Sequence, residues 1–238
     1  VLPCLLRRGV TRVDRMVLSH AHPDHENGLL AVARRLPVAE FWWNGQATPA
    51  SEHRELLEIL RQQGTRWRNF TPAANDPSAP VPRNLTVAGV AVRVLWPLAA
   101  DAPFRPTLGL NDNSLVLEVQ AGARRLLLAG DIEAPAEAAL VPSGLLSPVD
   151  VLKVPHHGSA TSSTSAWLRS ARPRLAIAGS RPWGSLPFPH PDVRARYALM
   201  GIPLWVTAAG CVTVEFSPTV VRALQEAKLK LPHAAIEA

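Results

Sequence analysis

The sequence predicts a single large α/β domain, a layered sandwich with mixed sheets. Two observations predict it. Short apolar runs of strand length alternate with longer stretches of helical periodicity, and turn residues break that alternation twice to make hairpins. At 238 residues the chain is long enough to bury one sizeable core.

Taken in order, Leu2 to Gly9 reads as the end of a helix, with Arg7 and Arg8 near its carbonyl end and Gly9 as its stop. Asp14 to Ser19 is a strand, and Gly28 to Leu36 a helix that Pro37 ends. Ala39 to Trp43 is a strand. Ser51 to Gln63 has a good N-cap and places Leu56, Leu57 and Leu60 at helical spacing. Thr65 to Phe70 returns as a strand. Thr71 to Pro82, rich in Pro, Ala, Asn, Asp and Ser, reads as a surface loop rather than a domain boundary.

Leu85 to Val87 and Val90 to Trp96 flank a turn at Ala88-Gly89, a hairpin signal. Pro97 to Asn111 is a second long loop, of the kind that carries binding function. Ser114 to Gln120 and Arg124 to Ala129 pair across Ala121-Gly122, and Glu133 to Leu140 is helical. Asp150 to Pro155 is a strand, followed by a helix capped by Ser163 or Thr164 and running to about Ala171. Leu175 to Ala178 is a strand and Pro191 to Met200 a helix. Pro203 to Val206 and Val212 to Phe216 form a last pair of strands, and Thr219 to Lys230 a terminal amphipathic helix. The domain is therefore expected over residues 1–218, with a helix and tail over 219–238.

The formal charge is +6 with histidine counted neutral, and arginine dominates the basic residues. Such a balance favours polyanionic partners, nucleic acid or an anionic surface, although the arginines are scattered rather than massed. Cys4 and Cys211 make no disulfide framework and neither has a CxxC partner. No apolar run approaches the length of a membrane span, and the opening residues show no signal-peptide pattern.

The densest chemistry lies in Ser19-His20-Ala21-His22-Pro23-Asp24-His25, directly after the apolar run Met16-Val17-Leu18. Four potential ligands fall within six residues of a chain that holds only eight histidines. Imidazoles and carboxylates in this mixture suit zinc, manganese or iron. Further candidates end other strands. Asp131 follows Leu126 to Gly130, where it can reach over the sheet edge as a ligand or cap the next helix. His156 and His157 follow Val151 to Pro155, and from the residues alone either can face a metal. Lys153 can contact a phosphate as a point charge or sit as a solvated rim lysine. His190 can bind phosphate, or simply open a helix whose first residue is Pro191. Trp42, Trp43, Trp96 and Trp183 can stack on nucleic-acid bases, with core packing as the default.

His20-x-His22-x-Asp24-His25 resembles the signature of the metallo-β-lactamase superfold, an αββα sandwich whose members are mostly hydrolases with one or two metals. That resemblance assigns His20 and His22 to a first site, Asp24 and His25 to a second, and Asp131 to a bridge. Its phosphodiesterase-like members favour His157 as the further ligand, leaving His156 to support a ligand from behind or to bind the substrate phosphate or the leaving group. The segments Asn111 to Leu117, Leu127 to Glu133 and Leu152 to Ser159 together resemble the C-terminal domain of ComEC-type DNA-uptake proteins. Leu85 to Pro97 and His190-Pro191 fit the same pattern, so the resemblance spans nearly the whole chain.

It implies a hydrolase of phosphodiesters with two divalent ions, zinc or manganese, and no nucleotide cofactor. It also implies single-stranded DNA as substrate, and a parent membrane channel that carries this domain outside the cytoplasmic membrane. Residues His20, His22, Asp24, His25, Asp131 and His157 would hold the metals, with His156, Lys153 and His190 as candidate catalytic groups. A small-ester hydrolase of phosphocholine-esterase type and an inactive interaction module are the competing readings. Three departures from the family pattern stand out. Asn111, Asp112 and Asn113 replace the usual further histidine, a change toward a harder site that prefers manganese. Ser185 to Pro189 lacks a customary glycine, and Val206 to Gly210 lacks the usual Arg-Thr-Asp run. The family's opening β-hairpin is absent ahead of Leu2, which reads as a truncated front.

Overall fold

The computed structural model describes residues 1–70, 83–98, 108–180, 187–216 and 221–227. The expected loop at 71–82, much of the one at 97–111, and Trp183 lie outside these residues. Helix α1 (Leu2–Arg7) leads into strand β1 (Val13–Leu18), helix α2 (Pro23–Ala33), β2 (Val38–Trp43), α3 (Ser51–Gln62) and β3 (Arg66–Asn69). Strands β1, β2 and β3 form a parallel sheet in that order. The hairpin β4 (Asn84–Val87) and β5 (Val90–Trp96) follows, then the hairpin β6 (Val116–Ala121) and β7 (Arg124–Leu128).

Helix α4 (Ala134–Leu140), β8 (Val151–Lys153), α5 (Ser165–Ala171), β9 (Leu175–Ala178), α6 (Pro191–Leu199) and β10 (Leu204–Val206) complete the second half. Its seven strands run in the order β10-β9-β8-β7-β6-β5-β4, parallel from β10 to β7 and antiparallel from β7 to β4. Strands β11 (Gly210–Phe216) and β12 (Val221–Ala227) make a separate antiparallel pair.

Three apolar clusters show how the layers stack. Leu30, Val32 and Ala33 of α2 and Leu56 and Leu60 of α3 pack on Met16, Leu18 and Phe41 of the three-stranded sheet. Trp42, Phe70, Val92, Val94, Leu115 and Leu117 fill the space between the two sheets. Leu127, Leu152 and Ala176 of the large sheet meet Ala136 and Leu140 of α4, Trp167 and Leu168 of α5, and Val193 and Tyr197 of α6. Successive strand residues point to opposite faces, so neighbours divide between clusters: Phe41 goes outward and Trp42 inward, Leu127 outward and Leu128 inward. Helices outside, sheets inside: this is the αββα order the resemblance implied.

Two of the sequence assignments are overturned. Within the helix expected over Thr219 to Lys230, the described part, Val221–Ala227, is a strand in register with β11, from Phe216↔Val221 to Gly210↔Ala227. Consequently Val212 to Phe216 does not pair with Pro203 to Val206, since β10 lies parallel to β9 instead. The helix read from Gly28 begins earlier, at Pro23, so it takes up half of the ligand-rich loop.

Candidate metal centre

Strand β1 of one sheet and the parallel neighbours β7 and β8 of the other bring their C-terminal ends near one another, and the segments that follow carry the titratable groups. A backbone hydrogen bond from Leu115 N to Ser19 O, 2.9 Å, ties the rim of one sheet to the other.

His22 occupies the N-cap of α2 in extended conformation, and Pro23 takes the first helical position, where a missing N–H costs nothing. Asp24 and His25 therefore sit in the first turn, and the helix N-terminus favours a carboxylate there. On the far side, Gly130 turns the chain with φ +55°. A Cβ at Gly130 would lie 2.5 Å from that of Ser114, so only glycine lets Asp131 reach inward. His156 and His157 adopt left-handed backbone in succession, φ 43° and 54°. Such strain concentrates where side chains must be aimed.

Four side chains converge. Asp24, His25, Asp131 and His157 each offer one ligand atom, all within 4.8 Å of one another. His25 Nε2 and His157 Nε2 both lie 3.1 Å from Asp131 Oδ2 and 3.2 Å from each other. Asp24 Oδ2 stands 3.3 Å from His157 Nε2 and 3.8 Å from His25 Nε2. His157 Nδ1 donates to Gly179 O at 2.6 Å, which turns Nε2 into the cluster.

His20 lies beside them, its ring centroid 4.4 Å from that of His25. Its Nδ1 faces the hydroxyls of Ser19 and Ser114, each at 3.1 Å, while its buried Nε2 has no hydrogen-bond partner. A buried imidazole nitrogen without a hydrogen-bond partner, beside carboxylates and other imidazoles, fits a metal ligand. His22 is half-exposed, with Nδ1 3.3 Å from Asp24 Oδ1.

Charge states follow. Burial drives His20 down to about 3, with His25 adding to the shift, so it is neutral. Burial alone would raise Asp131; the Lys153 ammonium and hydrogen bonds from His157 and His25 overcome it and hold the carboxyl well below the usual range. A hydrogen bond from His157 is the chief cause that holds Asp24 below that range too. Burial works against a charged His157, but the carboxylates of Asp131 and Asp24 raise it to about 9. Two carboxylates that draw a proton this strongly would draw a divalent cation in its place.

The remaining candidates take other positions. Lys153 Nζ donates to Gly130 O at 2.8 Å and to Asp131 Oδ1 at 3.0 Å, so it braces Asp131 instead of standing free on the rim. His156 turns away from the four, with Nδ1 2.8 Å from Glu133 Oε1 and Nε2 3.3 Å from Asn111 Nδ2. His190 caps α6, its Nδ1 accepting from Asp192 N, and this is the structural alternative read for it. Trp42 and Trp96 are buried in the core and unavailable to bases. Asp131 does not cap the next helix; Asp112 does, its Oδ1 accepting from Glu133 N at 2.7 Å and Ala136 N at 3.3 Å. Sequence reasoning missed Ser114, which links His20 to the N–H of Asp131, and Glu133, which orients His156. Neither stands at ligand spacing, so only the fold exposes them.

A family model described as the metallo-beta-lactamase superfamily matches residues 2–178. The chain is 30% identical over 196 residues to Recombination protein 2 of Haemophilus influenzae, covering 82% of this chain and 21% of that protein. It is 31% identical over 207 residues to Competence protein ComA of Neisseria gonorrhoeae, covering 86% and 25%. Thus the chain spans between a fifth and a quarter of the length of these relatives. Among solved structures, Zn(2+)-bound PqqB from Methylobacterium extorquens aligns over 80% of this chain and 70% of that one, with 14% identity and a TM-score of 0.43.

Proposed function

We propose, from the premise that the chain belongs to the metallo-beta-lactamase superfamily, that it is a metal-dependent phosphodiesterase that cleaves DNA, the nuclease domain of a ComEC-like DNA-uptake protein. The observation that carries this reading is the convergence of Asp24, His25, Asp131 and His157 within 4.8 Å, with the orphaned Nε2 of His20 beside them. His20, His22 and Asp131 would hold one divalent ion, zinc or manganese, and Asp24, His25, Asp131 and His157 the other. When bound, such ions activate water and neutralise charge developing on a phosphoryl group.

The chain's own residues supply the rest. Lys153 keeps Asp131 ionised and fixed. His156, its Nδ1 2.8 Å from Glu133 Oε1, is the residue this proposal assigns to the leaving oxygen. The net charge of +6 draws a polyanionic substrate, and the competence and recombination relatives point to DNA, single-stranded in the reading adopted here. Residues 1–218 form the hydrolase domain in this proposal, carried outside the cytoplasmic membrane by a parent channel. Among the described residues no helix is long and apolar enough to cross a membrane.

The test is hydrolysis by purified protein with manganese or zinc, against single-stranded DNA and against a small phosphodiester. DNA cleavage that disappears in His22→Ala and Asp131→Asn supports the nuclease. Turnover of the small ester alone points to the small-ester hydrolase, and protein that takes up neither ion overturns the metal-dependent reading.

A further inference from the structure

The strands of the large sheet have two ends, and the candidate metal centre occupies only one. Strands β7, β8 and β9 run parallel, so the turns that enter them lie together at the end opposite Asp131 and His157. The turn from α6 into β10 joins them there, since β10 lies parallel to β9 and Ala176 N donates to Pro203 O. The five residues of β7, about 16 Å of strand, separate the two ends.

The charge at this far end is lopsided. Segments 121–125, 141–150, 172–174 and 199–203 carry Arg124, Arg125, Arg172 and Arg174 against a single carboxylate, Asp150. Asp150 is already engaged. Its Oδ1 lies 3.1 Å from Arg124 Nη1, and its Oδ2 accepts from Arg125 N at 2.9 Å. Arg174 stands farther off, Nη1 3.6 Å from the same carboxylate, with its side chain 75% exposed. Arg172 is exposed too, as is Arg169 in the last turn of α5.

Beside this charge stands Leu199, the last residue of α6, 88% exposed. Guanidinium groups alone suit any polyanion. A nucleic-acid backbone offers nothing to a protruding aliphatic side chain, whereas a bilayer takes it among the acyl chains while its phosphates meet the arginines. A nucleic-acid strand held at this end would also lie away from the metal centre.

We propose that this end of the large sheet is a docking surface for an anionic lipid bilayer, with Arg125, Arg172 and Arg174 on the headgroup phosphates and Leu199 inserted below them. Docked in this way, the domain holds its metal centre on the side away from the lipid. Lipid binding needs neither metal nor DNA, so this surface stands or falls apart from the nuclease reading.

Co-sedimentation of the metal-free chain with vesicles tests it, using equal parts phosphatidylcholine and phosphatidylglycerol, and phosphatidylcholine alone. Binding is expected to the mixed vesicles only, and it weakens as salt rises. The double variant Arg172→Gln/Arg174→Gln should bind about 25-fold more weakly, about fivefold for each arginine. Leu199→Ser should bind several-fold more weakly with the salt dependence unchanged. All three positions are exposed, and circular dichroism checks that the variants fold. No binding by the wild type, or equal binding by the double variant, overturns the surface. Unchanged binding by Leu199→Ser overturns the insertion. A double variant that loses retention of single-stranded DNA on a filter, yet still binds vesicles like the wild type, gives these arginines to nucleic acid and overturns the proposal.

Discussion

The hydroxyl oxygen of Ser114 lies 3.1 Å from Nδ1 of His20, and the same oxygen accepts the backbone N–H of Asp131 at 3.0 Å. One atom therefore orients the ring of one candidate ligand and the chain of another. With Nδ1 facing hydroxyls, Nε2 of His20 is the nitrogen left to face a metal. Ser114→Ala should weaken cation binding by about 10- to 100-fold, the usual loss when a group behind a ligand is removed. Competition against a chelator measures it, with circular dichroism to show that the fold survives.

Acidity gives a second prediction. His157 has its pKa raised to about 9, so its proton stabilises the metal-free fold fully below the ordinary imidazole value. That contribution fades as pH climbs through about 9. Metal uptake runs the opposite way, since the cation must displace the proton, and affinity should rise with pH until about 9 and then level off. Melting of chelator-treated protein and apparent affinity, both followed across this window, should move in opposite directions; parallel trends would refute the assignment.

Asp131→Asn should abolish hydrolysis. The amide keeps the shape but removes the charge that faces His25, His157 and Lys153. A drop in kcat of at least about 100-fold, more than a supporting residue causes, should accompany lost metal binding. Retained metal with lost turnover would instead place Asp131 in proton transfer.

A fourth prediction concerns stability alone. Buried Glu137 in α4 accepts from Ser163 N at 2.6 Å and Thr164 N at 2.8 Å, closing the entrance to α5. Glu137→Ala would strand both donors away from water and should cost about 2–4 kcal/mol. Thermal denaturation reads this directly, and the metal affinity of the folded variant should be unchanged.

Much of this architecture could be read from residues. Both hairpins, the caps at Thr164 and His190, and the ends of most helices announce themselves through turn chemistry and spacing. The candidate ligands Asp24, His25, Asp131 and His157 stand near strand ends, which is why the residues alone mark them as candidates. What was not readable depends on pairing over distance. Val221 to Ala227 carries both helical and alternating patterns, and its partner β11 decides between them. Lys153 reads from the sequence as a phosphate contact or a rim charge, and only the pairing of β7 with β8, Leu128 opposite Lys153, brings Asp131 within its reach.

The hydrogen bond from Leu115 to Ser19 joins the two sheets at this end, beside those from Asn44 to Asn113 O and between Ser114 and His20, over the apolar layer between them. Two of the four gathered groups follow a strand of the N-terminal sheet and two follow strands of the larger one. An ion caught among them would act as a rivet through the seam. Slippage between the sheets and escape of the ion then become a single event, so the sandwich should be stiffest when it is loaded.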